Sequence, residues 1–302
     1  MKRAVEELGA FALAVQFLTR LPIPAPAVCS PERLAASVRH YPLVGGLVGA
    51  LCAGCLWLAD LALPSFVAVL LAVAAGLALT GAMHEDGLAD SFDGIGAAGG
   101  PGDMQVNRIL NAMRDSRLGA FGATALITAL AIKVAALASL PPFAAGIALI
   151  VGHGLSRLSC IIVMQTSTYL RATEVASQPQ GPPVSQGEGG TPPVQEAPQL
   201  QARTEPADGA RSPGIATPLA GRLDALSWLT VLATSAVLLT GLFSLLGPLA
   251  AAGALAGFIA GQALMRLVLE RKLRGYTGDT LGAVQQASEI GLYLGVLASM
   301  GG

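Results

Sequence analysis

Three aspartates at helical spacing dominate the chemistry that this sequence can support. Asp86, Asp90 and Asp93 are spaced i, i+4 and i+7, directly after a stretch apolar enough to lie in lipid. At roughly 100° per residue, this spacing puts the three carboxylates on one helix face, within an arc of about 60°. Like charges on one face repel, so the cluster needs a compensating cation or a network of arginines. The pattern favours a divalent-metal site over the alternative, a solvated acidic face at a helix end.

Two arginines and a further acid follow in the segment from 113 to 119. Arg114 and Arg117 are suited to binding phosphate, because a guanidinium group pairs with its oxygens in a fixed fork. Asp115 lies between them and is a candidate fourth carboxylate. The alternative is an interfacial cluster that only anchors the next span.

A glycine-rich loop opens the last helix near residue 277. Its glycines, among them Gly278, let backbone N–H groups approach an anion closely, and Thr277 adds a hydroxyl donor. Asp279 is an acid in the same loop. Glu289 then enters the membrane at the start of the last apolar stretch. These residues predict a second polar segment facing the acidic helix.

Four ionisable side chains lie in or beside the spans. His153 and Arg157 are one helical turn apart, and such an intramembrane pair is a functional hypothesis by default. The alternative for Arg157 is that it neutralises a carboxylate, and Lys133 can snorkel towards the surface. His84, just ahead of the acids, is a candidate for orienting a ligand or acting as a base, or is simply a polar helix end.

Acids, arginines and a glycine-rich loop together indicate phosphoryl chemistry. A metal ion and cations would neutralise the phosphate oxygens while a hydroxyl attacks in line. Magnesium is the expected metal, because it takes oxygen ligands and shares its coordination sphere with substrate phosphates.

The composition indicates that membrane helices are the elements that position these residues. The 302 residues are 53% hydrophobic and 12% charged, with a mean hydropathy of +0.62. A soluble domain carries about 25% charge, so we expect an integral membrane protein. The formal net charge of −1 and the lack of a basic stripe argue against a nucleic-acid partner.

Hydropathy predicts an all-α polytopic membrane protein with about six to seven transmembrane helices arranged as hairpins. Residues 8–19 are too short to span and fit an N-terminal interfacial or re-entrant helix. The short links between spans lack Lys and Arg, whereas the long links carry them, so the positive-inside rule places every long loop in the cytoplasm. The predicted spans are 41–59, 65–83, 118–139, 142–165, 225–246 and 249–269, with a shorter apolar tail at 290–302.

The chain divides into three parts. Residues 1–171 form the first part of the membrane domain and residues 219–302 the second. Residues 172–218 are rich in Pro, Gly, Gln and Ser without aromatic residues, and predict a disordered cytoplasmic insertion.

Three ordered motifs resemble the signature segments of the cobalamin synthase family, the adenosylcobinamide-GDP ribazoletransferases. They are His84–Gly94, Met113–Gly122 and Thr277–Ala283, and they occur in that family's order. The likeness covers the chain apart from 172–218. It implies a multi-pass protein of the bacterial cytoplasmic (inner) membrane, with its active site facing the cytoplasm.

The resemblance also implies a reaction. α-Ribazole, or its 5′-phosphate, would displace GMP from adenosylcobinamide-GDP in a Mg²⁺-dependent step, giving adenosylcobalamin or its phosphate. The partners are these small molecules and the lipid bilayer. A homo-oligomer or a complex with other cobalamin-assembly enzymes stays open.

Roles for the motif residues follow from the resemblance and this chemistry. The aspartates at 86, 90 and 93 would hold magnesium on the pyrophosphate, and the arginines at 114 and 117 would stabilise the transferring or leaving phosphate. Asp115 or Asp279 would complete the metal shell or accept the proton of the ribazole hydroxyl.

Two rival classes remain. A phosphotransferase of the CDP-alcohol type also places clustered aspartates on membrane helices, but the Ala-Arg pair and the second Asp-x-x-x-Asp of that family are absent here. A cation transporter would use the acids as a pathway, but it would carry them at the midplane rather than at the ends of spans.

Overall fold

The computed structural model describes residues 2–24, 30–100, 102–115, 117–170 and 221–301. These ranges are built from helices, and the prediction of an all-α membrane protein is confirmed. The predicted 172–218 insertion lies outside the described residues, and the division of the chain into 1–171, 172–218 and 219–302 stays a prediction. The helices are α1 (Lys2–Leu18), α2 (Pro31–Ser37), α3 (Tyr41–Asp60), α4 (Ser65–Thr80), α5 (Met83–Gly96), α6 (Gly102–Ala112), α7 (Ala120–Ala138), α8 (Pro142–Thr166), α9 (Ala225–Leu246), α10 (Pro248–Leu273) and α11 (Gly278–Met300).

Five helical segments of the described chain are long and apolar enough to cross a membrane, and α4 with α5 makes a sixth if they are taken together. The predicted span 65–83 ends early, because Gly81 and Ala82 both adopt left-handed backbone angles, with φ of 66° and 55°. The chain bends there by 87°. The acidic segment is therefore a separate helix, α5, which turns away from the span that precedes it.

The apolar tail predicted at 290–302 is the second half of α11. This helix is too polar to count as a span, but it packs against α10 along a line of small residues. Gly253, Gly257 and Gly261 recur every four residues on α10, and an added Cβ at each would clash with backbone carbonyls of α11. Such small-residue faces let membrane helices approach closely. The contact fixes α11, and with it Glu289 and the glycine-rich loop.

The N-terminal helix α1 has 17 residues and is not among the candidate spans. It packs against the start of α3, where the Phe17 and Tyr41 rings stack with centroids 5.8 Å apart. The Glu7 carboxylate lies 2.7 Å from the Arg39 guanidinium. These contacts bring the end of α1 to the edge of the site described next.

Candidate active site between the acidic helix and the last helix

The starts of α5 and α11 meet at backbone contact. A Cβ added to Gly87 would lie 2.5 Å from the Asp279 carbonyl oxygen, and one added to Gly282 would lie 2.8 Å from the His84 carbonyl oxygen. Only glycine allows two helices to cross at this distance. The crossing brings the acidic motif and the glycine-rich loop together, as the sequence predicted.

One cavity of about 210 Å³ opens at this crossing. Asp86 and Asp279 both line it, as do Gly278, His84 and Arg157. Gly278 is the first residue of α11, and first-turn N–H groups have no partner within a helix. Carboxylates, a guanidinium group and a helix N-terminus thus surround one space, which suits a phosphate together with a cation.

Asp93 is engaged in capping α7. Its two carboxylate oxygens accept hydrogen bonds from the N–H groups of Gly119 and Gly122, each 2.8 Å long. A side chain at either glycine would collide with this carboxylate. The geometry therefore favours a capping role for Asp93 over its predicted role as a metal ligand beside Asp86 and Asp90.

The described residues contain no group of three or more His, Cys, Asp or Glu side chains arranged to hold a metal ion. The predicted triad is thus not a preformed cage in this structure. Asp86 is exposed and Asp90 is partly buried one turn further along α5. Mg²⁺ is commonly held by one or two carboxylates plus substrate phosphates, so this oxygen donor set fits the ion once a pyrophosphate is present.

Thr277 caps the start of α11, and its predicted role as a hydroxyl donor to an anion stays a prediction. The residue is fully buried, and its hydroxyl accepts the N–H of Thr280 while the Thr280 hydroxyl accepts the N–H of Thr277. This reciprocal capping box starts α11. The first-turn backbone, and not the threonine hydroxyl, faces the cavity through Gly278.

Arg114, Asp115 and Arg117 lie in an exposed turn before α7 and do not line the cavity. The Arg117 guanidinium lies 2.6 Å from the Asp115 carboxylate. Hydrogen bonds from Arg117 lower the pKa of Asp115 to about 2. Arg114 lies 3.5 Å from the Asn111 side-chain oxygen. The predicted phosphate-binding pair is therefore near the acidic helix but is not turned into the cavity in this structure.

Glu289 is the centre of a buried polar network inside the bundle. It has no exposed surface, and its carboxylate lies 3.0 Å from the Lys133 ammonium and 3.6 Å from the Arg157 guanidinium. The Tyr293 hydroxyl donates to it at 3.0 Å. Protein groups therefore surround its oxygens, and a role of Glu289 in binding substrate stays a prediction. His153 belongs to the same network, with Nδ1 3.6 Å from Glu289.

Of the alternatives for Arg157, neutralising a carboxylate is what the structure shows, although its side chain also reaches the cavity wall. Lys133 does not snorkel, since it is buried between two acids. Glu85 is the second acid, 3.6 Å from the Lys133 ammonium, and it also accepts a hydrogen bond from Gln286. The network therefore ties the start of α5 to α7 and α11.

Gln286 and Tyr293 were not predicted as functional residues from the sequence, and Glu85 was expected only as a further charge beside the acids. A signal was present, because Gln285 and Tyr293 flank Glu289 at i−4 and i+4 within an otherwise apolar helix. Polar residues repeating on one face of a membrane helix indicate a partner face inside the bundle.

The fold and the site define a class: a multi-span, all-helical membrane protein whose carboxylates and helix N-terminus share one cavity. The chain belongs to the cobalamin-5-phosphate synthase family, whose model matches residues 10–186 and 200–297. The unmatched internal stretch, 187–199, is narrower than the predicted 172–218 insertion. The resemblance found in the sequence is confirmed.

Curated relatives support the assignment to this family. A protein of Leptothrix cholodnii is 37% identical over 304 residues, covering 99% of both chains. A protein of Shewanella frigidimarina is 35% identical over 298 residues, covering 97% of this chain and 96% of its own. Both are named adenosylcobinamide-GDP ribazoletransferase. No solved structure matches this chain.

Proposed function

We propose that this protein joins α-ribazole, or α-ribazole 5′-phosphate, to adenosylcobinamide-GDP with release of GMP. The product is adenosylcobalamin or its 5′-phosphate, which completes the nucleotide loop. Family membership and the names of the relatives support this reaction over a CDP-alcohol phosphotransferase or a cation transporter.

The observation that carries the proposal is the contact between Gly87 and the Asp279 backbone. It sets the Asp86 and Asp279 carboxylates beside the first turn of α11, around a cavity that also holds Arg157. The N–H groups of the first turn of α11 would receive the phosphate oxygens, while the carboxylates provide anchors for a cation.

Magnesium would be held by Asp86 and Asp90 together with oxygens of the pyrophosphate. When bound there, it would neutralise charge that builds up on the phosphate oxygens. Asp93 keeps its capping hydrogen bonds and serves this site by fixing the end of α5 against α7.

The chain's own groups account for the remaining chemistry. A ribose hydroxyl of α-ribazole attacks the phosphorus that carries the cobinamide, a new P–O bond forms, and the P–O bond to GMP breaks. The hydroxyl proton passes to a base at the cavity. Asp279 is the candidate base, because it lines the cavity whereas Asp115 does not. His84 lines the same cavity and would orient the acceptor.

We further propose that the protein lies in the bacterial inner membrane with this cavity facing the cytoplasm. The support is the distribution of Lys and Arg among the links between spans, since the long links carry them and the short ones do not. Both substrates are highly polar, and a cytoplasmic opening would give them direct access.

The test is turnover by the purified protein in detergent. With Mg²⁺, adenosylcobinamide-GDP and α-ribazole, wild-type protein should release one GMP for each cobalamin formed. Omitting either substrate or chelating the metal should stop the release. A folded protein that releases no GMP under the complete conditions would refute the proposed function.

A further inference from the structure

The 210 Å³ cavity also has aromatic lining residues. Phe17 of α1 and Tyr41 of α3 both line it, as does Tyr276 in the segment before α11. The Phe17 and Tyr41 rings are nearly parallel, at an interplanar angle of 10°. A wall of this kind accepts a flat apolar ring and offers little to a phosphate.

Two buried polar atoms on this wall have no hydrogen-bond partner among the described residues. They are the hydroxyl oxygen of Tyr41 and Nε of Arg157. Both residues line the cavity, and their side chains are at least nine-tenths buried, with exposures of 4% and 2%. An unsatisfied buried polar group costs about 1–3 kcal/mol, so two of them on one cavity wall indicate a ligand with a hydrogen-bonding atom of its own.

The size of the cavity favours α-ribazole over adenosylcobinamide-GDP as the substrate that enters it. Pockets that enclose drug-sized ligands measure roughly 300–1,000 Å³, and this cavity is smaller. A bicyclic aromatic base fits such a space, whereas a corrin ring with its amide arms does not. The acceptor α-ribazole carries a dimethylbenzimidazole base with one unsubstituted ring nitrogen, which can accept a hydrogen bond from Tyr41 or Arg157.

The position of the cavity fits the same assignment. Asp86, Asp279 and Gly278 line the same cavity, so with the base against the aromatic residues the attached ribose would lie close to these groups. The acceptor hydroxyl has to meet the phosphate beside them.

We infer that the aromatic side of this cavity is the acceptor subsite, and that Tyr41 and Arg157 hold the base of α-ribazole against the Phe17–Tyr41 wall. The inference rests on the proposed function and extends it to residues outside the three motifs. Tyr41 is a binding residue for the acceptor alone, so its loss should separate the kinetics of the two substrates.

Tyr41→Phe tests the subsite, since it keeps the ring and removes only the hydroxyl. The KM for α-ribazole should rise about 5- to 10-fold, as for loss of one hydrogen bond, while the KM for adenosylcobinamide-GDP stays unchanged. Tyr169→Phe is the matched control. That ring packs on Tyr276 at 5.3 Å but does not line the cavity, so neither KM should change. Equal rises in both KM values for Tyr41→Phe, or no rise in either, would overturn the inference.

Inhibition by free dimethylbenzimidazole is a second test, and it measures binding of the base without requiring it to react. It should inhibit GMP release competitively with α-ribazole and not with adenosylcobinamide-GDP, and Tyr41→Phe should weaken that inhibition to the same extent. Competition with the corrinoid substrate, or no inhibition, would place the base elsewhere. A wild-type enzyme that turns over normally while failing these tests would refute the subsite and leave the proposed function standing.

Discussion

Gly87 on the acidic helix lies directly against the backbone of Asp279 at the start of the last helix, with room for a hydrogen and not for a methyl group. This single contact joins two motifs that are almost two hundred residues apart in the chain. Because the contact is between backbones, it fixes the distance between the flanking carboxylates, Asp86 and Asp279.

Gly87→Ala should therefore damage catalysis more than folding. The added Cβ pushes α5 from α11, and a misplacement of about 1 Å can cost about 100-fold in rate. We expect GMP release to fall at least about tenfold while the protein remains helical in detergent. Gly241→Ala is the control, because an added Cβ there meets nothing within 4 Å. Wild-type turnover in Gly87→Ala would contradict this role of the contact.

Glu289 and Lys133 should stabilise the bundle only as a pair. Removing one partner leaves the other charge buried, which typically costs about 3–5 kcal/mol. Glu289→Gln and Lys133→Met should each lower the thermal unfolding temperature strongly. The double variant should lose less than the sum of the two, because the opposite charges of Lys133 and Glu289 are then removed together. If the two losses of stability were additive, Glu289 and Lys133 would not be energetically coupled despite their 3.0 Å contact.

Asp93→Ala should affect stability through the start of α7. The substitution leaves the N–H groups of Gly119 and Gly122 without their acceptor, and loss of a helix cap costs about 1 kcal/mol. Asp224→Ala is a matched substitution at the cap of α9, where the carboxylate accepts the N–H of Ser227. Both should shift unfolding by a similar amount, with the Mg²⁺ dependence of GMP release unchanged. If Asp93→Ala alone needed a higher Mg²⁺ concentration for GMP release, Asp93 would have to be assigned as a metal ligand.

Asp115 should contribute nothing to the pH dependence of turnover. Arg117 holds its pKa at about 2, below the ordinary value of 3.8, so the carboxylate is ionised throughout the neutral range. Because this pKa is lowered by folding, any stabilisation from the pair is complete above the ordinary pKa and is lost as the pH falls towards 2. The pH–rate profiles of wild type and Asp115→Asn should superimpose across the neutral range. A shift of either limb of the pH–rate profile in Asp115→Asn would indicate that Asp115 exchanges protons with substrate.

The sequence was sufficient for most of the apolar helices and for the pairing of the two polar motifs. Hydropathy reports how long an apolar segment is, and the asymmetry of Lys and Arg predicts on which side each link lies. Helical spacing predicted Asp86 and Asp90 on one face of a helix, and the expected hairpins placed the loop at Gly278 on the same side of the membrane.

What the sequence did not reveal depends on contacts between distant segments. The bend at Gly81 and Ala82 arises from two left-handed residues, and alanine gives no local signal for that conformation. Asp93 has the same spacing signal as the other acids, yet its partners are backbone groups of another helix. The charged partners of Glu289 come from α7 and α8, so its own helix shows the polar neighbours Gln285 and Tyr293 but not the ion pairs with Lys133 and Arg157.

The most direct test of the account is GMP release by Asp86→Asn, measured beside Asp279→Asn and wild type at saturating Mg²⁺. Asparagine keeps the shape of the side chain and removes the charge at the cavity. We predict that Asp86→Asn remains folded, with an unfolding temperature close to wild type, and loses nearly all turnover. Turnover by folded Asp86→Asn at the wild-type rate would contradict the assignment of this cavity as the active site.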